Sequence, residues 1–262
     1  MNIAIIDPDL SQTSQIEQAL MLSNEQWQTS VTCESVSLEF MLNSQWLNEP
    51  FDCFIFNGID LLSQVSLLKS VRRQSKTYVP MIVLTHTRAE SEFVALLDAG
   101  ADDCLCKPFR PRELSARVQS LFRQVMQITA SAKKTTVQAS SIGLFRPGSA
   151  SPSVSFMDYV FHSASLLVTF LGRKVQLTHM EFTLALYLFE NVDNSLTRQQ
   201  ISKYLWGVEH DSSTRTLDAL INKLKRKLEL TPEHGYRLRS VYGFGYRLQR
   251  VDERIRKFYQ VG

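Results

Sequence analysis

The chain has 262 residues, enough for one large domain or two ordinary ones, and its hydrophobic fraction of 44% can furnish a core. It contains no run of about 18 apolar residues, which excludes a membrane-spanning helix, and the start MNIAIIDPDL lacks the basic-then-apolar pattern of a secretion signal. The net charge of +3 hides an asymmetry: residues 1–121 carry 9 Lys/Arg against 15 Asp/Glu, residues 122–155 carry 4 basic and no acidic residues, and residues 156–262 carry 16 against 11.

An acidic half and a basic half predict two domains, the basic one offered to a polyanion. Cys33, Cys53, Cys104 and Cys106 lack metal-ligand spacing and read as reduced thiols of a cytoplasmic protein. The first half alternates strand-like and helix-like runs. NIAIID is a short apolar run, SQIEQALMLS has helical spacing, SVTCESV is a modest strand and LEFMLNSQWL is helical again. FDCFIFN, VPMIVLT and DCLCKPF follow as strands, separated by QVSLLKSVRRQ and SEFVALLDAG and closed by RELSARVQSLFRQV. Five apolar strands separated by amphipathic helices predict an α/β, doubly wound, parallel five-stranded sheet over residues 1–122. Chemistry in such sheets gathers beyond the carboxyl ends of the strands. Those ends carry Asp7, Asn57, Thr85 and Lys107.

Residues 123–153 are rich in Ser, Thr, Ala, Gly and Pro and read as a linker, into which QVMQIT can extend the preceding helix. Residues 154–250 change character. SVSFMDYVFHSASLLVTFLGRKVQLT reads as short strands with turns near His162-Ser163 and at Gly172. HMEFTLALYLFENV is a helix with Thr178 as its cap and Glu181 three residues on, a capping-box pattern. TRQQISKYLWG is a second helix, from the cap Thr197 to Gly207, and STRTLDALINKLKRKLEL is a third. YRLRSVYGFGYRLQRV reads as a closing hairpin turning at Gly243 and Gly245, and residues 251–262 form a tail.

In the third helix Leu217, Leu220, Ile221, Leu224 and Leu228 make one apolar stripe. The other faces carry Arg215, Asn222, Lys223, Lys225, Arg226 and Lys227. A helix fits the major groove, and long basic side chains with one amide can reach phosphates and base edges. The sequence shows no nucleophile–base pair, metal cluster or phosphate-cradling glycine loop, so an enzyme is not expected and neither is a cofactor.

These residues carry a resemblance. The second half resembles the α+β winged helix-turn-helix domain of OmpR/PhoB response regulators, through Leu177-Thr178, Glu181-Phe182, Trp206-Gly207, Arg215-Thr216-Leu217-Asp218, Leu224 to Leu228, and Val241 to Leu248 with Gly243 and Gly245. The first half resembles the family's receiver domain, through IIDPD, FDCFIFN, PMIVLT, DAGADD and KPF. In such receivers two acids after the first strand and an aspartate after the third bind Mg²⁺. That aspartate accepts a phosphoryl group, and a Ser/Thr, a Lys and a switch aromatic read out the result. Carried over, Asp7 matches the first acid, the second falls on Pro8 and the acceptor falls on Asn57. Thr85 and Lys107 match the readout pair, and the aromatic falls on Cys104. A hard cation wants carboxylates, and of those only Asp7 remains, with Asp9 as a possible substitute. A neutral amide supplies no attacking anion. The resemblance therefore implies a degenerate receiver without a bound metal, in which Lys107 pairs with Asp7 or caps the strand ends. Asn57-Gly58 is also a deamidation-prone sequence, which would yield an aspartate.

The resemblance further implies a homodimer through the receiver, with Asp102, Asp103, Glu113 and Arg117 at its charged positions. Phe93 stands where relatives have a base, leaving Glu113 without its partner and offering an exposed apolar contact. On double-stranded promoter DNA, Asn222, Lys223 and Arg226 are the expected base-edge readers, and Arg215, Lys225, Lys227, Arg237 and Arg239 the phosphate contacts. Leu220 replaces a polar phosphate contact, and Tyr242 replaces a basic residue in the wing. The expected function is a cytoplasmic, DNA-binding transcriptional regulator that works without receiver phosphorylation, with RNA polymerase or another regulator as further partners. The alternative is a receiver module that binds a protein or small ligand and modulates another regulator.

Overall fold

The computed structural model of the chain describes residues 1–9, 13–21, 30–75, 77–87, 89–134, 153–207 and 213–252. It forms two compact units, Met1–Leu121 with Ser202–Lys223 and Phe122–Ile201 with Leu224–Gly262.

In the first unit β1 (Asn2–Ile6), β2 (Thr32–Val36), β3 (Cys53–Phe56), β4 (Met81–Thr85) and β5 (Asp103–Cys106) build one parallel sheet in the order β2-β1-β3-β4-β5. The strands predicted from short apolar runs are those observed. Ile3 to Ile6, Phe54 to Phe56 and Met81 to Val83 are almost wholly buried. Burial on both faces is what a parallel sheet covered by helices requires, and each such side chain contributes ~1.5–3 kcal/mol. The covering helices are α1 (Thr13–Met21), α2 (Leu38–Leu42), α3 (Leu61–Gln74), α4 (Glu90–Ala99) and α5 (Pro111–Lys134). The predicted helix LEFMLNSQWL is broken. It stops at Leu42, Ser44 takes a left-handed conformation, and Gln45–Asn48 forms a separate 3₁₀ turn. Asn and Ser compete for backbone hydrogen bonds and so favour such breaks. The α5 helix continues through residues 123–134, twelve residues into the segment read as linker, and the rest of that segment, 135–152, lies outside the described residues.

The sheet reverses its winding at β1, between β2 and β3. A crevice opens at such a point outside the carboxyl ends of the strands. The sequence puts Asp7 and Asn57 there.

In the second unit four antiparallel strands, β6 (Ser153–Phe156), β7 (Tyr159–His162), β8 (Leu167–Phe170) and β9 (Arg173–Gln176), form a meander. The α6 helix (His179–Glu190) follows. Thr178 Oγ1 accepts the Glu181 amide, and Glu181 Oε2 accepts the Thr178 amide at 2.8 Å, the capping box the sequence predicts. Aromatic rings fill this core: Tyr159 stacks on Phe170 at 4.8 Å, and Phe161 meets Phe189 edge-on at 5.0 Å. The short β10 (Ser195–Thr197), which the sequence reading missed, leads into α7 (Arg198–Trp206). The basic helix, α8 (Ser213–Lys227), belongs to the first unit as far as Lys223, and β11 (Tyr236–Val241) and β12 (Gly245–Arg250) follow in the second. The last two pair as the predicted hairpin, and β12 also pairs with β10. Gly245 is required there. A Cβ at this position would lie 2.1 Å from the Leu196 carbonyl oxygen.

Candidate functional site

Two candidate sites follow from these elements: the crevice of the parallel sheet, and the basic helix with its hairpin. In the crevice, Asp7 leaves β1 and Asn57 leaves β3, each 1% exposed. Asn57 Nδ2 donates to Asp7 Oδ2 at 2.5 Å, and the Asp9 amide donates to Asp7 Oδ1 at 2.8 Å. Gly58 turns away with φ +66°, and a Cβ there would lie 2.9 Å from Asp7 Oδ1. Both carboxylate oxygens of Asp7 thus already accept hydrogen bonds from the chain. Asn57 Oδ1 is buried without a hydrogen-bond partner among the described residues.

The residues present do not fit the Mg²⁺ that the receiver resemblance implies. A hard dication takes oxygen ligands, usually carboxylates, at near-octahedral geometry. Here one carboxylate is held by an amide N–H, the neighbouring position is Pro8, and the amide stands where the acceptor carboxylate belongs.

The two residues expected as the readout pair, Thr85 and Lys107, lie at the carboxyl ends of β4 and β5. Thr85 closes β4, and its Oγ1 accepts the Thr87 amide at 3.1 Å. Lys107 follows β5 and precedes a cis bond to Pro108. Its ammonium is pulled below the usual lysine range by burial, against the attraction of Asp7. Among the described residues no ion pair joins Lys107 to Asp7, one of its two expected roles, the other being to cap the strand ends. Lys107 instead lines a cavity of ≈530 Å³ with Asn57, His86 and Phe109. Cys104 is buried in β5, and burial pushes its thiol well above the ordinary range.

The residues expected on an exposed dimer face are not exposed. Asp102 is fully buried and accepts from Arg72 Nη2 at 2.5 Å, from the Met81 amide at 2.9 Å and from the Tyr78 hydroxyl. Asp103 accepts two bonds from Arg117 Nη1, at 2.7 and 2.8 Å. Glu113 does not lack a partner: its Oε1 accepts from Arg117 Nη2 at 2.9 Å, one helical turn away. Phe93 is 2% exposed, not an open apolar contact. Charges read as intermolecular are thus paired within one chain. The sequence reading missed Arg72 and Tyr78, which supply half of this network from the end of α3 and the loop after it.

On α8 the apolar stripe is buried as expected, at Leu217, Leu220, Ile221, Leu224 and Leu228. Arg215, Asn222, Lys225 and Arg226 are exposed, as are Arg237 and Arg239 on β11. Tyr242 is fully exposed at the hairpin tip, beside the exposed Phe244. Three expected DNA contacts are engaged within the chain, one of them Asn222, whose Nδ2 donates to Glu90 Oε1 at 3.2 Å. Lys227 Nζ donates to Glu181 Oε2 at 2.8 Å, tying the end of α8 to the capping box of α6. Lys223 is 2% exposed rather than displayed, and its Nζ donates to the Leu97 carbonyl. Helical periodicity shows which face a lysine occupies, but not what covers that face.

Among the described residues no helix is long and apolar enough to cross a membrane. The family model for the response regulator receiver domain matches residues 3–119, and that for the C-terminal domain of transcriptional regulatory proteins matches residues 172–248. Among solved structures, a variant of RitR is similar to this chain at 19% identity with a TM-score of 0.56, covering 95% of this chain and 99% of its own. DrrB of Thermotoga maritima, an OmpR/PhoB homologue, is similar at 20% identity over 95% of this chain and 98% of its own, with a TM-score of 0.42. The DNA-binding domain of Klebsiella pneumoniae RstA, solved in complex with the RstA box, is 26% identical over 37% of this chain and 96% of its own, with a TM-score of 0.33.

Proposed function

Since the chain belongs to the response regulators of OmpR/PhoB type, a receiver followed by a winged-helix DNA-binding domain, we propose that it regulates transcription by binding double-stranded DNA without phosphoryl transfer at position 57. The observation that carries this reading is the hydrogen bond from the Asn57 amide to Asp7. Phosphoryl transfer needs a metal to neutralise charge and an attacking oxygen anion. The crevice offers an amide N–H where the anion belongs, and the carboxylate that remains already accepts two hydrogen bonds from the chain.

The DNA contact falls to α8 and to the hairpin of β11 and β12. The exposed Arg226 and Asn222 are placed to read base edges in the major groove, and the exposed Arg215, Lys225, Arg237 and Arg239 to bind phosphates. Lys227 and Lys223 are left out of this set, because Glu181 holds the first and the second is buried with its Nζ on the Leu97 carbonyl. Tyr242, at the tip, meets the backbone rather than reading the minor groove. This reading places the protein in the cytoplasm, as a homodimer on paired half-sites about 34–36 Å apart, with RNA polymerase or another regulator as its protein partner. A band-shift titration of the full chain against a library of duplexes tests it, without phosphodonor and again with one. The expected result is selection of a paired sequence, a two-copy complex, and the same affinity under both conditions. Binding that selects no sequence, or that appears only with the phosphodonor, would refute it.

A further inference from the structure

The ≈530 Å³ cavity beside the carboxyl ends of β3, β4 and β5 falls within the size of small-molecule sites, about 300–1,000 Å³. Ile16 and Ala19 of α1, with Pro108, Phe109 and Pro111, form its apolar wall. Its polar groups are a hydroxyl, two amides, an imidazole and one ammonium, from Ser14, Gln15, Asn57, His86 and Lys107. No carboxylate is among its described lining residues. Lys107 is held at the backbone, where its amide donates to the Thr85 carbonyl at 2.7 Å. Among the described residues its ammonium has neither an ion pair nor a hydrogen bond. Asp7, the carboxylate that attracts it, is outside the cavity lining and already accepts from Asn57 and the Asp9 amide. A second cavity of ≈510 Å³ shares His86 but is lined by Asp7, Asp9, Asp60 and Glu92. The two spaces therefore differ in the sign of the charge they offer.

We infer that the first cavity binds a small organic monoanion, a carboxylate on a compact apolar body, with the carboxylate on the Lys107 ammonium and the body against Ile16, Ala19 and Phe109. One unpaired cation suits one negative charge, and the apolar wall suits a ring or a branched chain. Hydrogen bonds to an ionised group are the strong ones, and the hydroxyl and amides of Ser14 and Gln15 add donors beside the ammonium. Position 57 contributes an uncharged amide to the lining, so no side chain of the cavity competes with the ligand for Lys107. Partial burial disfavours a charged amine that has no partner, and it pulls the Lys107 ammonium below the usual lysine range. An anion in contact reverses that effect. The same anion is repelled from the second cavity by its four carboxylates, which confines it to the first.

The inference rests on the reading that position 57 carries no phosphoryl group, and the test keeps the two apart. Benzoate is the probe, with acetate, which lacks the ring, and benzyl alcohol, which lacks the charge, as comparisons. Each is titrated into the ¹⁵N-labelled full chain, and the amide signals of Gln15, Ile16, Lys107 and Phe109 are followed. The titrations are repeated on Lys107→Met and on Lys69→Met, which removes an exposed lysine elsewhere on the receiver. Benzoate is expected to give saturable shifts at these four amides, with an affinity about tenfold above that of acetate, because the ring buries apolar surface. Benzyl alcohol and the Lys107→Met chain are each expected to lose about tenfold or more, the worth of a hydrogen bond between charged groups, and Lys69→Met to lose nothing. No saturable shift, benzyl alcohol binding as well as benzoate, or equal benzoate affinity in the two variants would overturn the site. The comparison of the three compounds on the parent chain decides the matter even if Lys107→Met does not fold. The intact mass of the same sample after a phosphodonor is read separately: an adduct at position 57 would refute the reading of that position, whereas the titration of the unmodified chain reports on the cavity alone.

Discussion

Replacing Arg117 by alanine is expected to cost about 3–5 kcal/mol of stability, the ordinary penalty for leaving a buried charge without its partner. Arg117 is fully buried and makes four bonds to two carboxylates, two to Asp103 and two to Glu113. Burial pulls its guanidinium down, but Asp103 and Glu113 hold it above the usual arginine range. Without it Asp103 and Glu113 face each other as buried carboxylates, with no cation between them. The comparison is Arg173→Ala, which removes the exposed pair with Glu229 and is expected to cost no more than about 1 kcal/mol. Urea denaturation of both variants decides the matter. If Arg117→Ala lost no more than Arg173→Ala, the buried cluster would not be a structural unit, and these charges would be free to meet a second copy after all.

The second large effect is on DNA. Arg226→Ala is expected to lose about 1–3 kcal/mol of discrimination at one base pair, the worth of a good bidentate contact. Lys225→Ala is expected to weaken all sequences alike and to reduce the salt slope by about one unit, as for a lost phosphate contact. The two residues are adjacent, both exposed, and of the same charge, so general electrostatics predicts the same behaviour for both. Titrations against the selected duplex and its single-base variants, at three salt concentrations, separate the roles. Identical losses on every sequence would reduce α8 to a positioning element.

Much of this was legible from the residues. Short apolar runs marked four of the five parallel strands, because a sheet covered on both faces needs continuous apolar strands; the edge strand β2, TCESV, is mostly polar. Thr178 and Glu181 marked the start of α6 by a local bond pattern that any chain with that spacing can make. The positions of Asp7, Asn57, Thr85 and Lys107 followed from strand ends. What could not be read was partnership across long separations in sequence. Arg117 meets Asp103 fourteen residues back, and Arg72 meets Asp102 thirty residues ahead; nothing in either local pattern distinguishes a buried pair from two surface charges. Lys223 and Lys227 share the composition of Lys225 and differ only in what lies opposite them. The break at Ser44 and the three-residue β10 were missed for a related reason. Short elements are set by their neighbours more than by their own propensity.

Asn57 holds its amide nitrogen on Asp7, and its carbonyl oxygen has no hydrogen-bond partner among the described residues. The most direct measurement is the intact mass of freshly prepared full-length protein, with and without a small phosphodonor and Mg²⁺. No phosphoryl adduct is expected, and the mass is unchanged on both sides of the comparison. A stoichiometric adduct mapped to position 57 or to a neighbouring carboxylate would contradict it and restore the receiver as a phosphorylation switch.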